Sequence, residues 1–316
     1  MFRCTLCGNC QQVCPVGIPL KEIWVSLRED LTDHQACPQA VRRIRANIEG
    51  SHNVFDEDNE ERADWIEDME DPPENLIKEK AEMVYFTGCV ASYFPLAQRI
   101  PIRFAAILHS VHADLTLLGP EEYCCGFPLL SAGLQDSIQD LITHNREMIR
   151  QKGASKVVFA CPTCYQMWRE FYPPDFQLVH STEALRDFIR QNKIILNELP
   201  LTVTYHDPCD LGRSAGIYEA PREVIRSIPG VKLVELSANR ENCTCCGGGG
   251  SLEMFDPKLA AGIAKHKVNQ IMETGAQAVV TACQQCVRTI TAHVRKNNID
   301  IEVLDLTELI YRAMSK

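Results

Sequence analysis

No apolar run in these 316 residues approaches the ~20 residues a membrane-crossing helix needs. The most apolar stretch, Ile100 to Leu118, is broken by Arg103, His109, His112 and Asp114. A basic excess is missing too. There are 32 Lys and Arg against 42 Asp and Glu, a net charge of −10. That argues against a nucleic-acid partner, whose phosphates call for a basic stripe. The opening residues, MFRCTLCGNC, lack the apolar core of a secretory leader, so a cytoplasmic location is the expectation. The glycine run Gly247 to Gly250 is not followed by Lys-Ser/Thr, which excludes a phosphate-cradling P-loop. With 45% hydrophobic residues, the chain is long enough for two domains with real cores.

Cysteine is what the sequence has in abundance: sixteen residues. In a reducing compartment they are not expected to pair as disulfides. Most fall in tight groups: Cys4, Cys7, Cys10 and Cys14; Cys124 and Cys125; Cys161 and Cys164; Cys243, Cys245 and Cys246; Cys283 and Cys286. Thiolates packed this closely repel one another unless a cation or a cluster holds them. Metal ligation is therefore the reading of these groups.

A tandem repeat organises most of them. The first unit reads VYFTGC (Cys89), YCCG (Cys124, Cys125) and VVFACPTC (Cys161, Cys164); the second reads VTYHDPC (Cys209), TCCG (Cys245, Cys246) and VVTACQQC (Cys283, Cys286). The five cysteines recur at offsets of 120, 121, 121, 122 and 122 residues. Strands are predicted at 83–86, 115–118, 156–160 and 176–180, and again at 201–205, 232–236, 278–282 and 301–304. Helices are predicted over 100–111, 134–151 and 182–191 in the first unit, and 221–227, 257–274 and 307–315 in the second. This alternation predicts an α/β fold with a mainly parallel sheet in each unit. Cysteines just after strands then fall at the carboxyl edge, where such sheets place their sites. The division expected is residues 1–55 as a small, mainly helical cysteine segment, 56–82 as an acidic linker, 83–195 as the first α/β domain and 196–316 as the second. The acidic stretch 56–74 reads as a solvated connector, with Trp65 and Ile66 pinning it to the body.

The N-terminal spacing Cys4-x2-Cys7-x2-Cys10-x3-Cys14-Pro15 is that of a bacterial ferredoxin motif, in which three thiolates of one loop take three corners of a cubane. A zinc ribbon would pair two CxxC knuckles far apart instead. In two-cluster ferredoxins the fourth cysteine serves the other cluster, and only three residues precede Cys4. The fourth ligand stays open: Cys14 bending back, Cys37 in its own Cys-Pro pair, or a partner chain. Cys37 reads equally as an ordinary buried thiol. The adjacent Cys-Cys pairs suit neighbouring irons of one cluster, with Gly126 and Gly247 to Gly250 letting backbone approach the sulfide.

The pattern Cys89…Cys124-Cys125-Gly126…Cys161-x2-Cys164, repeated as Cys209…Cys245-Cys246-Gly247…Cys283-x2-Cys286, resembles the duplicated cysteine-rich (CCG) domain. That domain occurs in the B and D subunits of heterodisulfide reductase and in iron–sulfur subunits of glycolate, lactate and anaerobic glycerol-3-phosphate dehydrogenases. The resemblance covers residues 83–316, and the N-terminal motif is similar to the second ferredoxin motif of the D-type subunits. It implies two tandem, pseudo-symmetric α/β CCG domains preceded by a ferredoxin-like segment. It implies three [4Fe–4S] clusters: one cubane at Cys4, Cys7, Cys10 and Cys14, and two noncubane clusters on the ten repeat cysteines. Those ten would be the catalytic ligands, facing each other to split or form the disulfide of a small sulfur substrate. Three features depart from the family pattern: no first ferredoxin motif, an extra Cys243, and Asp210 where many relatives carry histidine.

Other residues are weighed beside these. His206 and Asp207 could deliver protons to a leaving thiolate or fix the turn before Pro208. His180 reads as a helix-cap neighbour. Arg213 suits a substrate carboxylate or phosphate, or an ordinary salt bridge. The expected partners are other redox subunits, ferredoxin-like or flavoprotein, or a quinone-reactive membrane subunit that would hold the chain peripherally. The competing function is pure electron transfer between a flavoprotein and a quinone or iron–sulfur partner.

Overall fold

The computed structural model describes residues 1–314. Two four-stranded sheets form, all parallel. The first contains β1 (Met83–Phe86), β2 (Leu115–Thr116), β3 (Lys156–Phe159) and β4 (Gln177–His180), in the order β2-β1-β3-β4. The second contains β5 (Leu201–His206), β6 (Val231–Glu235), β7 (Ala278–Thr281) and β8 (Glu302–Asp305), in the order β6-β5-β7-β8. The topology is the same in both units. Strand order reverses beside β1 and β5, so the crevice of each sheet opens at the ends of the strands that lead into Cys89 and Cys209.

Burial follows from the sequence of the strands. β1 is fully buried, as parallel strands covered on both faces are. Its residues divide by parity. Met83 and Tyr85 join a core with Ile100 and Phe104, and with Val203, Tyr205, Val280, Ile290 and Leu309 of the second unit. Val84 and Phe86 face the other way, into a core with Phe159 and Trp168 and with Phe2, Leu6, Ile44 and Ile48 of the N-terminal segment. One sheet therefore meets the second unit on one face and the N-terminal segment on the other. The segment itself is mainly helical, with helices Leu20–Asp33 and Gln39–Ser51.

Several boundaries differ from expectation. β2 stops at Thr116 because the Leu117 N–H turns away to the Leu76 carbonyl, 2.8 Å. The predicted helix 134–151 is a 3-10 turn, Gln135–Ile138, followed by an α-helix, Gln139–Gln151. The last helix runs Leu306–Met314, and Ser315 lies outside the described residues. Helices Pro162–Phe171 and Gln284–Lys296, which start at the CxxC pairs, were not anticipated.

The acidic stretch is more than a solvated connector. Asn59–Ile66 forms a 3-10 helix, started by Asp58 accepting the Glu60 N–H. Arg62 and Trp65 are each 1% exposed, and Met69 and Leu76 join the core. The acids face outward while these four residues face in, so net composition hid a packed segment.

Candidate metal centre

In the first unit, Cys89 opens the helix Cys89–Tyr93 just after β1, and Cys161 caps the helix after β3 with Cys164 in its first turn. Cys124 and Cys125 lie on the loop that ends at Gly126, whose φ of +97° starts the helix Phe127–Ala132. The five thiols form one hydrogen-bonded chain: Cys89 to Cys124, Cys124 to Cys125, Cys125 to Cys164, and Cys164 to Cys161. All five are buried. Hydrogen bonds from Cys124 and then Cys164 pull the Cys125 thiol down to about 6. Backbone N–H groups of Gly126, Phe127, Thr163 and Cys164 also point at these sulfurs. From outside, Arg62 reaches the Cys89 sulfur at 3.5 Å and pairs with the buried Glu122 carboxylate at 3.2 Å. Glu122 in turn accepts the Thr87 and Gly88 N–H groups, both at 2.8 Å.

The second unit repeats the chain: Cys209 to Cys245, Cys245 to Cys246, Cys246 to Cys286, and Cys286 to Cys283. Hydrogen bonds from Cys245 and Cys286 pull the Cys246 thiol down to about 5. One thiol is added here. Cys7 of the N-terminal motif hydrogen-bonds Cys245, which with burial raises its own pKa. Cys4 feels the charges of Cys7 and Cys10, after the larger effect of its own burial. Cys14 is elsewhere, its sulfur taking the N–H groups of Ile18, Val16 and Gly17. Cys37 lines a separate open pocket with Arg42 and Arg45. Cys4, Cys7 and Cys10 of the motif thus lie near one another, and Cys7 reaches the second unit's cysteines.

What seats this loop is the glycine run. A Cβ on Gly249 would stand 2.7 Å from the Thr5 carbonyl oxygen, and one on Gly250 2.6 Å from that of Cys4. The run is a close-packed bed rather than a flexible loop. Arg28, fully buried, completes the seat by donating to the carbonyls of Cys4 at 2.6 Å, Met1 at 3.3 Å, Ser131 and Gly250. No local sequence pattern marks Arg28, because its hydrogen-bond partners are distant backbone carbonyls and the rings it stacks on, Phe2 and Phe255, are distant too.

The two units meet through their CxxC helices. Thr163 donates to Asp210, next to Cys209, at 2.7 Å, and Gln284 donates to the Thr87 carbonyl, two residues before Cys89, at 2.9 Å. Between them lies a cavity of about 470 Å³. All five cysteines of the first unit line it, with Cys209 and Asp210 of the second, and Arg43 and Arg288 on its wall.

The donor set itself discriminates between cofactors. Five soft thiolates per site exceed the four of a tetrahedral zinc. Their approach in a mutually bonded chain, with backbone N–H groups aimed at sulfur, suits an anionic iron–sulfur cluster. Comparison with known proteins points the same way. The profile of the cysteine-rich domain family, CCG, matches residues 83–169 and 203–291. The chain belongs to the CCG cysteine-rich domain family. It is 36% identical to the D subunit of the dihydromethanophenazine:CoB–CoM heterodisulfide reductase of Methanosarcina mazei, over 98% of this chain and 77% of that protein. It is 27% identical to the EtfAB:quinone oxidoreductase of Syntrophomonas wolfei, over 99% of this chain but 46% of that longer protein. A hypothetical protein of Helicobacter pylori of known structure shares the fold, with TM-score 0.56 and 10% identity, over 80% of this chain and 54% of that one. The cysteine sets and the family together indicate an iron–sulfur redox protein.

In this CCG chain the accessory residues take plain roles. Asp207 forms a two-pronged ion pair with the buried Arg222, at 2.7 and 2.8 Å, and accepts the Arg240 N–H. His206 is buried beside Cys243, with Nδ1 3.5 Å from its sulfur. His180 is the N-cap of its helix, and burial depresses it to about 3. Arg213 binds carbonyls of Cys7, Glu241 and Cys243; it ties the N-terminal loop to the second unit and faces no substrate space.

Proposed function

We propose that this chain is a heterodisulfide-reductase-like iron–sulfur subunit that reduces, or in reverse forms, the disulfide of a small sulfur substrate. In the reducing direction a disulfide, two electrons and two protons give two thiols. Two noncubane [4Fe–4S] clusters on the ten repeat cysteines, when bound, supply one electron each and iron for the nascent thiolates. The single observation behind this reading is that both five-cysteine sets are complete, and that one cavity between the units is lined by all five cysteines of the first and by Cys209 of the second. Asp210 and Thr163 close that cavity between the units. Arg43, which has no partner among the described residues, puts a cation on its wall for an acidic substrate.

Cys4, Cys7 and Cys10 would hold the feeding cubane. Its fourth ligand would come from another segment or a partner chain, to which Cys14 would be returned. Cys10 is exposed, and Val13 and Val16 beside it are 65% and 75% exposed. That surface suits a ferredoxin-like or flavoprotein redox partner, or a quinone-reactive one at a membrane. No helix among the described residues is long and apolar enough to cross a membrane, so membrane contact would come through that partner. The second reading, an electron relay alone, draws on the same exposed surface and on the quinone oxidoreductase among the relatives.

Anaerobic turnover of a disulfide against a quinone, in Cys125→Ser and Cys246→Ser proteins, separates the two. Serine is a poor substitute for a thiolate ligand. Loss of disulfide turnover in both is the expected result. Near-normal turnover in a protein shown to have lost one cluster overturns the disulfide chemistry and leaves the relay.

A further inference from the structure

The repeat offsets allow the surroundings of the two cysteine sets to be compared place by place. At the end of β1 the first unit has Phe86; the second has His206. Two residues before the Cys-Cys pair stand Glu122 and Cys243. On the helix behind stand Asn145 and Lys267. All six are buried, at 1% exposure or less. In the first unit Arg62 reaches the Cys89 sulfur at 3.5 Å but is neutralised by the Glu122 carboxylate at 3.2 Å, and Phe86 and Asn145 carry no charge. In the second unit the three side chains form a row. The Lys267 ammonium lies 3.7 Å from the Cys243 sulfur, which lies 3.5 Å from His206 Nδ1. A ring nitrogen of His206 lies within 4.8 Å of the sulfurs of both Cys246 and Cys286.

We propose that Lys267, Cys243 and His206 form an outer shell to the second unit's cysteine set that makes its cluster the more easily reduced of the two. This deepens the proposed function and rests on it. Three observations carry it. The imidazole stands where the first unit has the apolar Phe86 ring, and it is held by Cys243 so that it faces Cys246 and Cys286. A buried ammonium stands behind it, where the first unit has a neutral amide. The second unit is also the one that Cys7 touches, through Cys245. Hydrogen bonds to cluster sulfur and nearby positive charge raise a cluster's reduction potential. A higher potential beside the entry point retains the first electron until a second can follow. His206 and Lys267 are positioning residues here: they touch neither the cavity nor a substrate.

The test is a redox titration of the intact, cluster-loaded protein followed by electron paramagnetic resonance. The signal missing from Cys246→Ser protein belongs to the second unit, and the signal missing from Cys125→Ser protein to the first. In the unaltered protein the second unit's signal should titrate at the higher potential. His206→Phe, which installs the first unit's residue, should lower its reduction equilibrium by about tenfold, about 59 mV for one electron. Lys267→Met should lower it in the same direction, and Lys267→Arg should restore it, with the first unit's signal unmoved throughout. Two signals that titrate together, or a gap unchanged in Lys267→Met, overturn the inference. Lys267→Met decides the matter if His206→Phe fails to take up iron. Both clusters present with equal potentials remove this inference and leave the proposed function; a protein that cannot form the second cluster removes both.

Discussion

Arg62 and Glu122 show what a single buried pair does next to a metal site. Both are 1% exposed, and between them they hold the Cys89 sulfur, the Thr87 and Gly88 N–H groups and Asn59. Removing one partner of such a pair leaves a buried charge without compensation, at a cost of about 3–5 kcal/mol. Arg62→Met should therefore lower the denaturation midpoint sharply, whereas Arg42→Met, an exposed arginine of the open pocket, should leave it unchanged. Asp305 makes a different claim. It caps the last helix through Thr307, and burial raises its carboxyl to about 7. A raised acid binds more protons folded than unfolded, so its stabilising effect is full below its ordinary range near 4 and falls as pH climbs toward 7. Stability measured between pH 5 and 8 should decline less in Asp305→Asn than in the unaltered protein, because the amide keeps the cap acceptor and cannot ionise. Equal slopes would contradict the buried-carboxyl account.

At the scale of elements, the strands and the duplicated cysteine register were legible because both are local patterns. Runs of β-branched and aromatic residues mark β1, β3, β5 and β7, and a cysteine follows each by two or three residues. The CxxC helices were missed. Pro162 reads as a turn, yet proline suits the first position of a helix. In Gln284–Lys296 the apolar spacing of Cys286, Val287, Ile290 and Val294 is that of a buried helix face, with the CxxC pair at its start. In the 3-10 segment 59–66 the pin expected at Trp65 and Ile66 is present, both packing on the core, while the buried Arg62 is what the acidic composition hid. The joining of Cys7 to Cys245 could not be read at all, as 238 residues separate them and their meeting depends on Arg28 and the glycine bed. That bed yields its own test. Gly250 has a φ of +59° and no room for a Cβ, so Gly250→Ala should unseat the Cys4–Leu6 loop. Iron analysis should then show the loss of roughly one cubane's worth of iron, with the repeat cysteines still loaded.

For the whole molecule, the two units are held in one body by a shared core and by the reciprocal Thr163–Asp210 and Gln284–Thr87 contacts. Anaerobically prepared protein should carry about three clusters' worth of iron; zinc in its place would refute the assignment. The N-terminal loop has a further consequence, which concerns the order of synthesis. Its clamp, Arg28, is made before Ser131 and Gly250, the carbonyls it must grip, which belong to the two units that follow. A ribosome adding about 5–20 residues per second leaves Cys4, Cys7 and Cys10 without their seat for roughly 10–50 s. These thiols are thus made early and housed late, and the cell must keep them reduced and free of stray metal until the second unit has left the ribosome.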